Sequence, residues 1–175
     1  MEWFDRPGGD PVELHEHSTE WATRAGEWIA TIRRALLVLD TRVEHVGSTA
    51  VPGLIAKPVI DLLVSVPDLA AERAYRPALE SLGLVLRARE PDHLFFRPPA
   101  GQPRAVHVHV CATGSAWERE HLAFRDQLRA RPDIAAAYAE LKRRLALDFR
   151  SDRAAYTDGK ATFIRSLIGS TGTAS

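Results

Sequence analysis

Apolar residues recur at helical spacing in the first part of the chain: Trp21, Ala25, Trp28, Ile29, Ile32 and Leu36. With Ser18 as a candidate cap, this stripe predicts one amphipathic helix over residues 18–39. The pattern then changes to strand-like. Residues 42–46 read as a short strand ending at Gly47, and a loop of small residues runs to Ala56. Pro58 opens a strongly apolar strand through Val66. Asp68 is placed to cap a helix that ends near Leu82, with Gly83 as its stop, and Pro77 is expected to break or offset it. Residues 84–89, 94–97 and 105–111 read as three more strands, joined by turns short enough for antiparallel hairpins. The last third is helical. Ser115 and Glu118 match a capping box, with Trp117, His121, Phe124 and Leu128 on one face. A second helix starts near Pro132 with the stripe Ile134, Tyr138, Leu141 and Leu145. A third starts near Ser151, with Tyr156, Phe163, Ile164 and Leu167 on its inner face.

This order predicts a single α/β (α+β) domain: a mixed sheet flanked by helices, with a C-terminal helical cap on one side. Residues 1–11 read as a flexible, Gly/Pro-rich arm, 12–169 as the domain and 170–175 as a flexible tail.

Composition narrows the function classes. The chain has 175 residues, 45% of them apolar, which suits one domain with a real core. Its 23 basic and 23 acidic residues cancel, which argues against general nucleic-acid binding and against an anionic membrane surface. No apolar run approaches a membrane-spanning length, and no signal peptide opens the chain. A lone cysteine, Cys111, excludes an internal disulfide and a multi-cysteine metal site, and fits a reducing cytoplasm.

Two strands carry polar residues that an apolar pattern does not explain. Asp61 sits inside IDLLVSV. Side chains alternate along a strand, so Asp61 shares a face with Val59, Leu63 and Ser65, while Ile60, Leu62 and Val64 form a wholly apolar face. An unpaired buried carboxylate is costly, so Asp61 needs a cation, a donor network or water. In AVHVHVC, His107 and His109 alternate with valines and point to one face, about 6–7 Å apart. That spacing suits two ligands of one metal or two donors to a phosphate. If the two strands are neighbours, one aspartate and two imidazoles converge. Such a set suits Zn, Mn, Fe or Ni better than Mg, although the three side chains can also simply satisfy one another.

Other candidates are weaker alone. Gly47, Ser48 and Thr49 form a turn where backbone N–H groups and two hydroxyls can meet an anion, but neither the Walker nor the dinucleotide-binding spacing is present. Lys57 is held extended by Pro58. Lys160 lies at i+4 from Tyr156 on the apolar stripe of the last helix, so it either snorkels or meets an anion in a cavity. Arg125 is similarly placed beside Phe124. Glu44 and His45 face opposite ways on a regular strand, so one of them faces the site.

EHVGSTAVPGLIAKPVIDLLVSV, the HVHV strand, the W-x6-F-R-D-x-L-R run from Trp117 to Arg129, and YTDGKATFI resemble the GrpB-like family of the polymerase-beta-like nucleotidyltransferase superfamily. The resemblance covers about Val12 to Ile168, nearly the whole chain, with these segments in the family's order. The resemblance implies a nucleotidyltransferase-like mixed sheet, with Gly47-Ser48 at the nucleotide-phosphate turn and Asp61 at the first metal-binding carboxylate. It also implies a second carboxylate two residues on, where this chain has Leu63, and a third acid where it has His107 and His109. The expected function is therefore a nucleotidyltransferase-like enzyme. It would bind a nucleotide or other phosphorylated small molecule through Gly47, Ser48, Thr49, Lys57 and Lys160. One divalent metal (Mg or Mn, or Zn or Fe) would sit on Asp61, His107 and His109, which would be the catalytic residues, with Glu44, His45 and Arg125 as additional candidates. The alternatives are a catalytically degenerate binding or accessory module with a protein partner, and a metal enzyme of non-transferase chemistry.

Overall fold

A computed structural model describes residues 2–3 and 11–169. Its elements in chain order are β1 (Glu2–Trp3), α1 (Glu20–Ala35), β2 (Arg42–Val46), a 3-10 turn (Ser48–Ala50), β3 (Ile60–Val66), α2 (Glu72–Ser81), β4 (Val85–Arg89), β5 (Leu94–Arg97), β6 (Val106–Ala112), α3 (Ala116–Ala130), α4 (Pro132–Asp148) and α5 (Arg153–Gly169). The strands make one sheet of order β1-β4-β5-β6-β3-β2. β3 and β6 pair in parallel, and each remaining neighbour pair is antiparallel. The expected mixed α/β sheet with flanking helices is the observed architecture.

The strand alternation read from sequence decides which helices go where. Ile60, Leu62, Val64, Val106, Val108 and Val110 are buried on one face against Trp21, Ala25 and Ile32 of α1, Leu36 just after it, and Tyr75 and Leu79 of α2. The opposite face is covered by α3 near Val46, Leu63 and Cys111, where Trp117 and Leu122 pack. α3, α4 and α5 then pack on one another and on the Val51–Ile55 loop through Phe124, Leu128, Tyr138, Ala139 and Leu167. That is the expected helical cap.

Several boundaries differ from the pattern. α1 ends at Ala35 rather than near residue 39, because the buried stripe ends at Leu36 and the next two residues, Leu37 and Val38, are 81% and 93% exposed. Pro77 does not break α2. It sits inside the helix, where it forgoes one bond, to the Arg73 carbonyl, while Tyr75 and Leu79 stay buried. Gly83, at φ +79°, ends the element as expected. The strand expected from Pro58 starts at Ile60, and β4 carries a register shift between Leu86 and Ala88.

The N-terminal arm differs too. Glu2 and Trp3 pair with Arg89 and Ala88 as a short edge strand, so this part of residues 1–11 is not a free arm. Residues 1 and 4–10, and the tail at 170–175, lie outside the described residues. Residues 12–15 are tied down by backbone bonds from Val12 N–H to the Arg150 carbonyl (2.8 Å) and by a two-way bridge between His15 and Ala56.

Candidate functional site

The parallel pairing of β3 with β6 sets the site. It places Asp61 beside His107 and Leu63 beside His109, and the antiparallel partner β2 places Val46 beside Asp61 and Glu44 beside Leu63. On the other side of β6, Phe95 of β5 stands beside His109. Directly paired residues share a face, so the sheet presents two rows side by side: Val46–Asp61–His107, and Glu44–Leu63–His109–Phe95.

Asp61 Oδ1 lies 3.1 Å from His107 Nδ1 and 3.8 Å from His109 Nε2. One donor atom from each of the three residues falls within 4.8 Å of the other two. Burial works to raise the Asp61 pKa, but His107 and His109 outweigh it, and the carboxyl is held well below the usual carboxylate range. Burial moves His107 the other way, downward, against the pull of Asp61. The carboxylate accepts an N–H from a neutral imidazole, and a cation bound between them would take that proton's place. A set of one oxygen and two imidazole nitrogens fits a single divalent cation of the borderline type.

Gly47 is required by this carboxylate. It adopts φ +72°, and a Cβ there would lie 2.9 Å from Asp61 Cβ and inside the van der Waals envelope of the carboxylate oxygen. The chain turns so tightly over Asp61 that only a hydrogen fits. Ser48–Ala50 follows as a 3-10 turn whose bonds begin at Ala50 N–H to the Gly47 carbonyl (3.2 Å), leaving the Ser48 and Thr49 N–H groups leading the turn. The Thr49 hydroxyl donates to the Val59 carbonyl (3.2 Å) and faces His45 Nε2 at 3.0 Å. Thr49 therefore ties the turn to the start of β3. Burial, with Arg129 and Arg125 adding to it, pushes His45 down to about 4 against the pull of Asp61. His45 is neutral and supports the turn from behind.

Three lysines share a cleft with Asp61. Lys142 of α4 is 1% exposed; its Nζ donates to Ser48 Oγ at 3.1 Å and to the Ile55 carbonyl, and lies 4.8 Å from the Tyr138 ring centre. Lys57 and Lys160 share the Tyr156 ring, at 5.1 and 4.5 Å from its centre. Burial lowers all three. Lys142 falls to about 7, helped by Lys160, Arg143 and Lys57, and Lys160 falls to about 8, helped by Lys57. Lys57 is lowered as well, with Arg153 contributing, although Asp61 pulls it up.

These groups line one cleft of about 450 Å³. Gly47, Ser48, Thr49, Lys57, Asp61, His107, His109, Tyr138, Lys142, Tyr156 and Lys160 line it, together with Phe95, Glu120, His121 and Phe124. A volume in this range suits a small-molecule ligand.

Three of the candidates do not line it. Glu44 is on the Asp61 face, but Arg125 Nη1 holds it at 2.9 Å, and Arg42 also binds it. Arg125 further donates to the His45 carbonyl (3.0 Å) and to Asp126 (2.7 Å), so it clasps α3 onto β2. With His45, these residues support the cleft from outside.

Lys142 is the residue that sequence reasoning missed. Its signal was available, because Lys142 lies at i+4 from Tyr138 just as Lys160 lies at i+4 from Tyr156. His93 was also missed. Its Nε2 meets His109 Nδ1 at 2.9 Å, and its ring stacks on Trp117 at 4.4 Å. It follows the β4–β5 turn and has no periodicity to betray it.

The model of the family described as GrpB protein matches residues 11–170. A UPF0157 protein of Streptomyces coelicolor is 41% identical over 176 residues, covering 99% of this chain and 91% of that one. The crystal structure of a conserved GrpB protein from Enterococcus faecalis superposes with a TM-score of 0.81 at 30% identity, covering 90% of this chain and 96% of that one. The chain of the GLD-2/RNP-8 complex matches with a TM-score of 0.52 at 16% identity, covering 87% and 58%, a likeness of fold alone. The chain belongs to the GrpB family, and its fold is nucleotidyltransferase-like.

Proposed function

We propose that this GrpB-family chain is a nucleotidyltransferase-like enzyme. It binds the phosphate groups of a nucleotide or other phosphorylated small molecule beside one divalent cation. One observation carries the reading: a single cleft is lined by the Asp61–His107–His109 group, by Lys57, Lys142 and Lys160, of which Lys142 is fully buried, and by the Gly47–Ser48 turn. The lysines oppose one another's charge, with Asp61 pulling against that on Lys57 and Lys160. A phosphate would relieve that opposition and accept from their ammonium groups and from the N–H groups leading the turn. The cation would polarise a phosphoryl oxygen. The residues around it do the rest. Asp61 and the two imidazoles fix its place, the lysines hold and neutralise the phosphates, and the buried aromatic rings exclude water.

A second reading has its own support. Leu63, where the resemblance implies a second carboxylate, is fully buried among Val46, Cys111 and Trp117, and Glu44 beside it is taken by Arg125. A metal-ligand group with one carboxylate also suits a non-catalytic binding or accessory module with a protein partner.

Melting of the pure protein with Mn²⁺, nucleoside triphosphates, and both together tests the site. Site ligands stabilise the native state by RT ln(1 + [L]/Kd), about 2.7 kcal/mol at a hundredfold excess over Kd. We expect Mn²⁺ and nucleotide each to raise Tm in wild type. Asp61→Ala should lose the Mn²⁺ response, and Lys160→Met the nucleotide response. If neither ligand moves wild-type Tm, the reading is wrong. Binding without any nucleotidyl transfer favours the second reading.

A further inference from the structure

His109 uses both ring nitrogens. Nε2 faces Asp61 Oδ1 at 3.8 Å, and Nδ1 meets His93 Nε2 at 2.9 Å. Beyond His93 the line continues: its Nδ1 lies 3.7 Å from Glu90 Oε2. The backbone at this turn is closed by a bond from Glu90 N–H to the His93 carbonyl at 2.8 Å. The His93 ring is 8% exposed. It lies flat against Trp117, at 4.4 Å and 9°, and stacks with His109 at 5.1 Å and 24°. Asp61, His109, His93 and Glu90 thus form a chain with a carboxylate at each end and two imidazoles between.

Proton counting gives this chain two arrangements. With both rings neutral, the form a metal-ligating imidazole requires, they carry two N–H protons, and the contact between the rings uses one. The other must face one end. Either His109 Nε2–H points to Asp61 and His93 Nδ1 turns a lone pair to Glu90, or His93 Nδ1–H points to Glu90 and His109 Nε2 turns a lone pair to Asp61. The proton total is the same in both. Only the second leaves His109 able to bind a cation beside Asp61.

We propose that His93 and Glu90 are positioning residues that hold His109 in the tautomer able to bind a cation. Glu90 accepts from His93, His93 accepts from His109 Nδ1–H, and the His109 lone pair is delivered to the Asp61 side. The inference rests on the cation reading above. It assigns work to two residues outside the cleft. Partners of this kind behind a ligating histidine typically change metal affinity 10- to 100-fold, on the order of one to two decades.

The test uses Zn²⁺ as a diamagnetic probe on the full chain, with ring nitrogens labelled with ¹⁵N and read by long-range proton–nitrogen correlation. In Zn²⁺-loaded wild type we expect His109 to carry its proton on Nδ1 and the metal on Nε2, and His93 to carry its proton on Nδ1. Calorimetry should show that Glu90→Ala and His93→Leu weaken Zn²⁺ binding by roughly tenfold or more. His93→Gln should recover most of it, because an amide oxygen can accept at the reach of Nε2. Melting of the metal-free variants separates general damage, and Glu90→Ala, on a half-buried side chain, guards against a His93→Leu protein that fails to fold. A His109 ligated through Nδ1, or Zn²⁺ affinity unchanged in both Glu90→Ala and His93→Leu, overturns this inference alone. Wild type that takes no Zn²⁺ overturns the cation reading with it.

Discussion

The two faces of the central sheet are built from alternate residues of the same strands, yet they meet opposite demands. On one, Ile60, Leu62, Val64, Val106, Val108 and Val110 are all fully buried under α1 and α2. On the other, Asp61, His107 and His109 stand half-buried in a cleft, and Leu63, Ser65 and Cys111 are buried beside them. The first face contributes stability that scales with apolar area removed from water. The second places polar groups where water is scarce, which is costly unless each finds a partner. Even its buried end follows this rule, since the Ser65 hydroxyl donates to the Glu118 carboxylate at 2.5 Å. The apolar face holds the fold up and leaves the polar face free of that demand.

Neighbouring substitutions should separate the two. Leu62→Ala is expected to lower unfolding free energy by about 2–5 kcal/mol through transfer loss and a cavity, while the native protein keeps its ligand affinity. Asp61→Asn, one residue away and on the other face, should cost far less stability and most of the cation affinity. Urea unfolding and calorimetry read the two quantities. The comparison breaks if both variants lose stability equally.

Gly47 and Gly53 offer a finer contrast. Both have φ above +70°, but a Cβ at Gly53 meets nothing within 4 Å, whereas at Gly47 it runs into Asp61. Each Gly→Ala change should cost about 1–2 kcal/mol for the left-handed backbone. Only Gly47→Ala should cost more than this and also weaken cation binding. Equal losses would show that the close approach to Asp61 does not matter.

A third contrast is in pH. Lys142 is held near 7 and Lys160 near 8 by burial, below their unfolded values of about 10.4. Between these limits the unfolded chain binds more protons than the native one, so stability should rise as pH climbs from about 7 to about 10. Lys142→Met should flatten that slope, and thermal melting across the range checks it. A bound phosphate anion, which favours the charged lysines, should flatten it too.

Much of this was legible in the chain. Period-two alternation in β3 and β6 gave both sheet faces, and the stripes of α3, α4 and α5 gave the cap. What escaped needed tertiary partners. Nothing local distinguishes Glu44, which Arg125 takes across 81 residues, from an acid free to enter the cleft. Pro77 kept its place because burial of Tyr75 and Leu79 outweighed one lost bond. That β3 and β6 are neighbours could only be supposed, since a parallel pairing leaves no turn between the strands as its signature.

That same parallel pairing has a kinetic consequence. Asp61 and His107 are 46 residues apart, with α2, β4 and β5 between them. Bringing their strands together closes a long loop before any of their mutual contacts can compensate for it, the kind of step that slows folding. The Asp61–His107–His109 group is therefore assembled late, after the β4–β5 hairpin can form. A divalent ion added during refolding should slow unfolding more than it speeds folding, because its site is absent until the chain has crossed most of the barrier.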